Sequence, residues 1–143
     1  MKTINIPNAD DRQTKLSLHY AVDELVKTSL AATNFNRNTI LNNISPSLYI
    51  TSNEEVILSV ILRIVEGVIT HASDSVIYIS GKELYDKMIE VKIKDENCYN
   101  TYAVAVSLQD AVPMAEKIGG HLDITNQKQK ITTIAFRFPL EKD

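Results

Sequence analysis

The sequence predicts an α+β fold: a two-layer sandwich with a mostly antiparallel sheet of about five strands and three helices on one face. Three observations predict it. From Val56 to Ile69, apolar residues recur at helical spacing along two adjacent stripes, Val56/Val60/Ile64/Val68 and Ile57/Ile61/Val65/Ile69. After Ser75 the period changes to two, and Ile89, Val91 and Ile93 face away from Glu90, Lys92 and Lys94. Towards the C-terminus, Leu122/Ile124 and Ile134/Phe136/Phe138 alternate on either side of a polar turn at residues 126–130. Strands with one apolar side need cover on that side only.

The elements follow in order. Residues 1–14 are polar, contain Pro7 and an Asp pair, and are assigned as an N-terminal arm; residues 15–143 are assigned to one domain. Leu16, Ser17 and Leu18 alternate like a short strand. Val22, Leu25, Val26, Ser29 and Leu30 predict a helix over residues 19–34, ended by the Asn-rich run 34–38. Residues 39–44 read as a second strand, closed by Ser45-Pro46-Ser47. Ser52 or Asn53 caps the long striped helix, with Glu54 and Glu55 at its positive end. Its remaining face carries Ser59, Arg63, Glu66, Gly67 and Thr70. Residues 75–80 form a strand that Gly81 ends in a turn, the Ile89/Val91/Ile93 strand follows, and residues 95–102 are a polar loop. A last helix lies within residues 103–118 and stops at Gly119-Gly120. Pro113 lacks an N–H and fits only the first turn of a helix, so the regular helix is expected to begin near Asp110, its N-cap.

At 143 residues, 44% hydrophobic and 23% charged, the chain has the make-up of one ordinary globular domain. Such a length buries roughly 70% of the surface exposed by the unfolded chain, enough for a core without staples. Fifteen basic residues against 18 acidic give a net charge of −3, which argues against a nucleic-acid-binding surface. Three His and a single Cys, Cys98, exclude a zinc ribbon, an intramolecular disulfide and a CxxC pair. One unpaired thiol fits a reducing compartment, and a cytoplasmic location is expected. Residues 1–11 hold no apolar h-region, and the longest apolar stretch is broken by Ser59 and Arg63, so neither a signal peptide nor a membrane contact is expected.

Four segments carry a resemblance: LSLHYAVDELV, LNNISPSLYITSNEEVILSVILRIVEGVITHAS, MIEVKIKDENC and EKIGGHLDITNQKQKITTIAFRFPL. Their order and spacing resemble the ATP-binding domain of two-component sensor histidine kinases, within the GHKL ATPase superfamily. The resemblance covers nearly the whole domain and implies a Bergerat-type ATPase fold. In a working member it implies ATP and magnesium as ligands, and signalling proteins as partners.

The residues that carry the family's chemistry match only in part. Its long helix holds two Asn four residues apart and a Lys or Arg three later, all on one helical face. The matching positions here are Arg63, Gly67 and Thr70. Arg63 cannot ligate magnesium and Gly67 has no side chain; Glu66 is a potential metal ligand, but with Arg63 three residues before it an ion pair across one turn is the expected role. The family's first glycine box, Asp-x-Gly-x-Gly, uses its Asp to accept the adenine amino group. The segment Asp95-Glu96-Asn97-Cys98-Tyr99 keeps that Asp and neither glycine. Asp95 is therefore the candidate adenine contact, although an Asp after a strand is also a common turn former. The second box, whose amides cap phosphates, corresponds to Ala105, Ser107 and Leu108, and residues 97–104 are too few for the family's lid. His19 lacks the acid and Arg that follow the family's phosphoacceptor His. His71 and His121 stand alone and read as surface or boundary residues, with nothing to pair them with Cys98.

Two readings of the resemblance follow. In the first, the domain is degenerate: it has no catalytic residue and no cofactor, keeps a former pocket at Arg63, Gly67, Thr70, Ala105 and Ser107, and binds a protein partner in signalling. In the second, it is a divergent but working ATP-binding domain of a sensor kinase, with ATP and magnesium. An unrelated α+β domain with an accidental element order is the third possibility.

Overall fold

The computed structural model describes residues 15–28 and 37–140; the N-terminal arm and the expected end of the first helix lie outside them. The elements are β1 (Leu16–Ser17), α1 (Leu18–Thr28), β2 (Thr39–Asn42), β3 (Tyr49–Ile50), α2 (Glu54–Thr70), β4 (Val76–Leu84), β5 (Met88–Asp95), α3 (Thr101–Ser107), α4 (Ala111–Lys117), β6 (His121–Gln127) and β7 (Ile131–Pro139). One five-stranded sheet has the order β2-β4-β5-β7-β6. The β2–β4 pair is parallel and the other three pairings are antiparallel. A parallel pair needs a crossover, and α2 lies in that connection. The α+β class, the five strands and the antiparallel majority are as predicted.

The alternation read from the sequence sets which side is covered. Ile89, Val91 and Ile93 of β5 are fully buried, as are Phe136 and Phe138 of β7. They join one core with the two stripes of α2, where Val60, Ile61 and Ile64 are also fully buried. Lys92 and Lys94 point to the uncovered side. This is the open sheet that one layer of helices leaves.

Several expectations are corrected. The strand entering Gly81 does not turn there. It runs on to Leu84, because β5 pairs with it residue by residue, Gly81 opposite Val91. Leu48 and Ile44 pack close to it: a Cβ would sit 3.3 Å from Leu48 Cδ2 and 3.5 Å from Ile44 Cγ1, the first a tight contact and the second an ordinary one. The turn comes at Tyr85–Lys87. The strand expected over residues 39–44 ends at Asn42, and β1 finds an unforeseen partner in β3. Asn53 holds the N-cap position of α2 in a left-handed conformation (φ 59°) and makes no side-chain cap bond.

Among the described residues there are four helices, not three, because the expected last helix is divided. Asn100 caps α3, its side chain accepting from Ala103 N at 3.1 Å. α4 begins one residue after Asp110, which places Pro113 in the first turn, as its missing N–H requires. Asp110 itself makes no side-chain cap bond. Most of the stretch before it, where the regular helix was not expected to reach, is the separate helix α3. The end of α4 is a Schellman turn: Gly119 takes φ 79°, Gly120 N donates to Ala115 O at 2.9 Å, and Gly119 N donates to Glu116 O at 3.1 Å. Pro113→Ala is expected to lower stability by no more than about 1 kcal/mol, through the unfolded chain alone. Thermal melting checks the sign, since removing a mid-helix proline would raise stability by about 3 kcal/mol.

Candidate functional site

The site follows from how closely α2 and α3 approach. Gly67 is buried on α2, and a Cβ there would lie 2.6 Å from Ser107 Oγ and 3.0 Å from Leu108 Cδ2. The end of α3 therefore occupies the space directly above the glycine. Ser107 is held in place by donating to Val104 O at 2.7 Å, and Leu108 is buried. Ala105 and Ser107 lie inside a helix rather than ahead of one. Their amides are therefore turned into intrahelical bonds and are not free for an anion.

Arg63 does not pair with Glu66. Its Nη1 lies 3.7 Å from Asp110 Oδ2, because the start of α4 packs beside α2 and presents a carboxylate that sequence spacing does not reveal. Both side chains are well exposed, so the pair contributes little to stability. Thr70 Oγ1 donates to Glu66 O at 2.8 Å, a bond within its own helix. Arg63, Glu66, Gly67, Thr70 and Ser107 line one shallow depression of 200 Å³. Ligand pockets start at about 300 Å³.

Asp95 does not line that depression. Its side chain is buried at the end of β5. Oδ1 accepts from Ser75 Oγ through a short hydrogen bond and from Asn97 N at 3.0 Å, so the turn-former role is real. Oδ2 is buried with no hydrogen-bond partner among the described residues. An unmet buried acceptor costs the desolvation of that group, about 1–3 kcal/mol. A donor supplied from outside the chain would offset it.

The short segment after Asp95 is tied down. Cys98 N donates to Lys130 O at 2.7 Å, Thr101 Oγ1 and Thr132 Oγ1 lie 2.6 Å apart, and Asn126 Nδ2 donates to Thr101 Oγ1 at 2.7 Å. Thr132 is buried directly opposite Asp95 in the β5–β7 ladder. These partners are 25 to 32 residues apart in the chain, so no local pattern announces them. Cys98 is buried, and His71 and His121 are exposed. His19 Nε2 lies 3.5 Å from Asp23 Oδ2. No cluster of three potential metal ligands occurs among the described residues.

No family model matches the sequence, and no curated protein does. Solved structures match over most of the chain. The histidine kinase AdeS of Acinetobacter baumannii aligns with 90% of this chain and 68% of its own, at a TM-score of 0.74 and 11% identity. A nucleotide-free catalytic domain of the histidine kinase ThkA aligns with 91% of this chain and 98% of its own, at a TM-score of 0.74 and 13% identity. ThkA in complex with the response regulator TrrA aligns with 90% of this chain and 42% of its own, at a TM-score of 0.72 and 12% identity. At such identities the agreement is one of fold. The chain has the fold of histidine kinase catalytic domains.

Proposed function

We propose that this chain is a degenerate histidine kinase-like ATPase domain, a regulatory or protein-binding module of two-component signalling whose nucleotide site is lost or weak. The observation that carries the reading is the contact of Ser107 and Leu108 with Gly67. It fills the space that a second amide of the long helix would need for work on phosphates.

The fit of ATP divides in two. On the phosphate side the residues do not suit it: Arg63 is a cation where a magnesium-organising amide is required, and it is turned to Asp110. Gly67 offers no donor, and the amides of Ala105 and Ser107 are used within α3. On the adenine side Asp95 Oδ2 is an unmet acceptor, which suits an exocyclic amine. The second reading, a divergent but working ATP-binding domain, draws on Asp95 alone. A signalling protein as partner is supported by the complex of ThkA with a response regulator. The cytoplasmic assignment rests on the single thiol and is compatible with the finding that no helix among the described residues is long and apolar enough to cross a membrane.

Thermal melting with magnesium and ATP or ADP tests the reading. Any ligand of the native state raises its stability, by about 2.7 kcal/mol at a hundredfold excess over Kd. The expected result at millimolar nucleotide is no resolvable shift. A rise of several degrees, abolished by Asp95→Asn, would establish the working domain instead.

A further inference from the structure

A groove of 560 Å³ lies on the uncovered face of the sheet. Cross-strand register explains its shape. Thr133 and Ala135 of β7 form the floor, and Ala135 is the small residue opposite Lys92 on one side and Asp123 on the other. One wall is Lys92 and Lys94 of β5; the other is Asp123, Thr125 and Gln127 of β6. A cationic wall thus faces a wall of hydroxyl and amide groups and one carboxylate, Asp123, which Arg137 already engages, across a floor of short side chains.

Charge is divided between the layers. The helices carry Asp23, Glu24, Glu54, Glu55, Glu66 and Glu116 against Lys27, Arg63 and Lys117. The open face carries Lys82, Lys92, Lys94 and Arg137 against Glu90 and Asp123. Arg137 is engaged by both acids, through Nε to Glu90 at 2.7 Å and Nη1 to Asp123 at 2.9 Å. The two lysines retain donors. Among the described residues Lys92 Nζ has a single acidic contact, at 3.8 Å with the already occupied Glu90, and Lys94 Nζ has one with Glu96 at 3.2 Å. Each ammonium has three donors.

From this geometry we infer that the open face of the sheet is a docking groove for an extended acidic peptide segment of a partner protein, with Asp or Glu at alternate positions. Lys92 and Lys94 lie two residues apart on one strand, about 6.7 Å, and alternate side chains of an extended peptide repeat at the same distance. Charge-assisted contacts to both ammonium groups then form in one register, while Thr125 and Gln127 meet the peptide's polar backbone. Single-stranded nucleic acid fits less well. Its bases need a free aromatic face, and the Tyr78 ring is taken by Lys94, whose Nζ is 5.5 Å from its centroid. The inference deepens the reading of the chain as a binding module; its failure would leave the loss of nucleotide binding untouched, because none of these residues lines the depression beside Gly67.

The test is fluorescence anisotropy of the purified chain with a labelled peptide of alternating Asp and Ser. The comparisons are a peptide of the same composition with its Asp residues in one block and a single-stranded oligothymidylate of equal charge. The alternating peptide is expected to bind most tightly and to weaken as salt rises. Lys92→Glu and Lys94→Glu are each expected to weaken it about tenfold, with melting of both variants recorded to confirm that they fold. Lys94→Glu remains informative if Lys92→Glu disturbs Glu90. Absence of peptide binding, equal binding of the block peptide, an affinity unchanged in Lys94→Glu, or tighter binding of the oligothymidylate would each overturn the inference.

Discussion

Arg137→Leu is expected to destabilise the fold by about 3 kcal/mol, read as a fall in melting temperature of roughly 10 °C. The reason is the partner it abandons. Glu90 lies on the open face of the sheet, yet its side chain is only 5% exposed, in register between Lys82 and Arg137. Arg137 donates to it from Nε at 2.7 Å and spans to Asp123. Without the guanidinium, a buried carboxylate keeps, among the described residues, Lys92 alone as a cation, at 3.8 Å. Removing one partner of a buried pair is costly, whereas replacing both with apolar residues is often near neutral. The double variant Glu90→Leu/Arg137→Leu should therefore recover most of the loss. Two single variants that melt alike, with no recovery in the double, would show that the pair carries no coupling. The hydrogen bond to Glu90 chiefly raises the Arg137 pKa above the ordinary arginine value. Its contribution is thus present in full below that value and is lost only in stronger alkali, so it does not titrate across the working pH range.

What the sequence made legible, and what it did not, divides by range. The alternation in β5 and β7 and the double stripe of α2 are local patterns, and they suffice to place the covered side of the sheet. Pro113 was legible too, since the ring and the missing N–H act on the chain's own first turn. Gly81 misled because its composition says turn, while pairing with β5 carries the strand through it and Leu48 and Ile44 approach it from another segment. Arg63 misled in the same way: Glu66 is nearer in sequence, but Asp110 is brought to it by the packing of α4. The candidate site was half legible. Family resemblance located Asp95 and the altered positions, but the buried, unmet Oδ2 depends on a ladder with Thr132 and a bond from Ser75. The open-face groove was not legible at all, because its lining comes from four strands in register.

Gly67→Asn, which would restore an amide at the position the family resemblance marks, is expected to cost about 1–3 kcal/mol and to recover no nucleotide binding. The helix itself would welcome a side chain, since glycine in a helix interior is about 1 kcal/mol worse than alanine. Packing decides the sign. The first added carbon meets Ser107 Oγ at 2.6 Å and Leu108 Cδ2 at 3.0 Å, and the rest of an Asn must displace both. Ser107 can turn away only by giving up its bond to Val104 O, and Leu108 is buried in the core cluster. The strain therefore falls on the α2–α3 contact, the feature on which the proposed loss of the phosphate site rests. Ser107→Gly in the same chain removes the nearest clash and should return part of the lost stability, with ATP still producing no melting shift. If Gly67→Asn melts at or above the parent temperature, the two helices are not in close contact there. If it gains a magnesium-dependent ATP shift, the pocket is shut by one missing amide and not by the packing of α3.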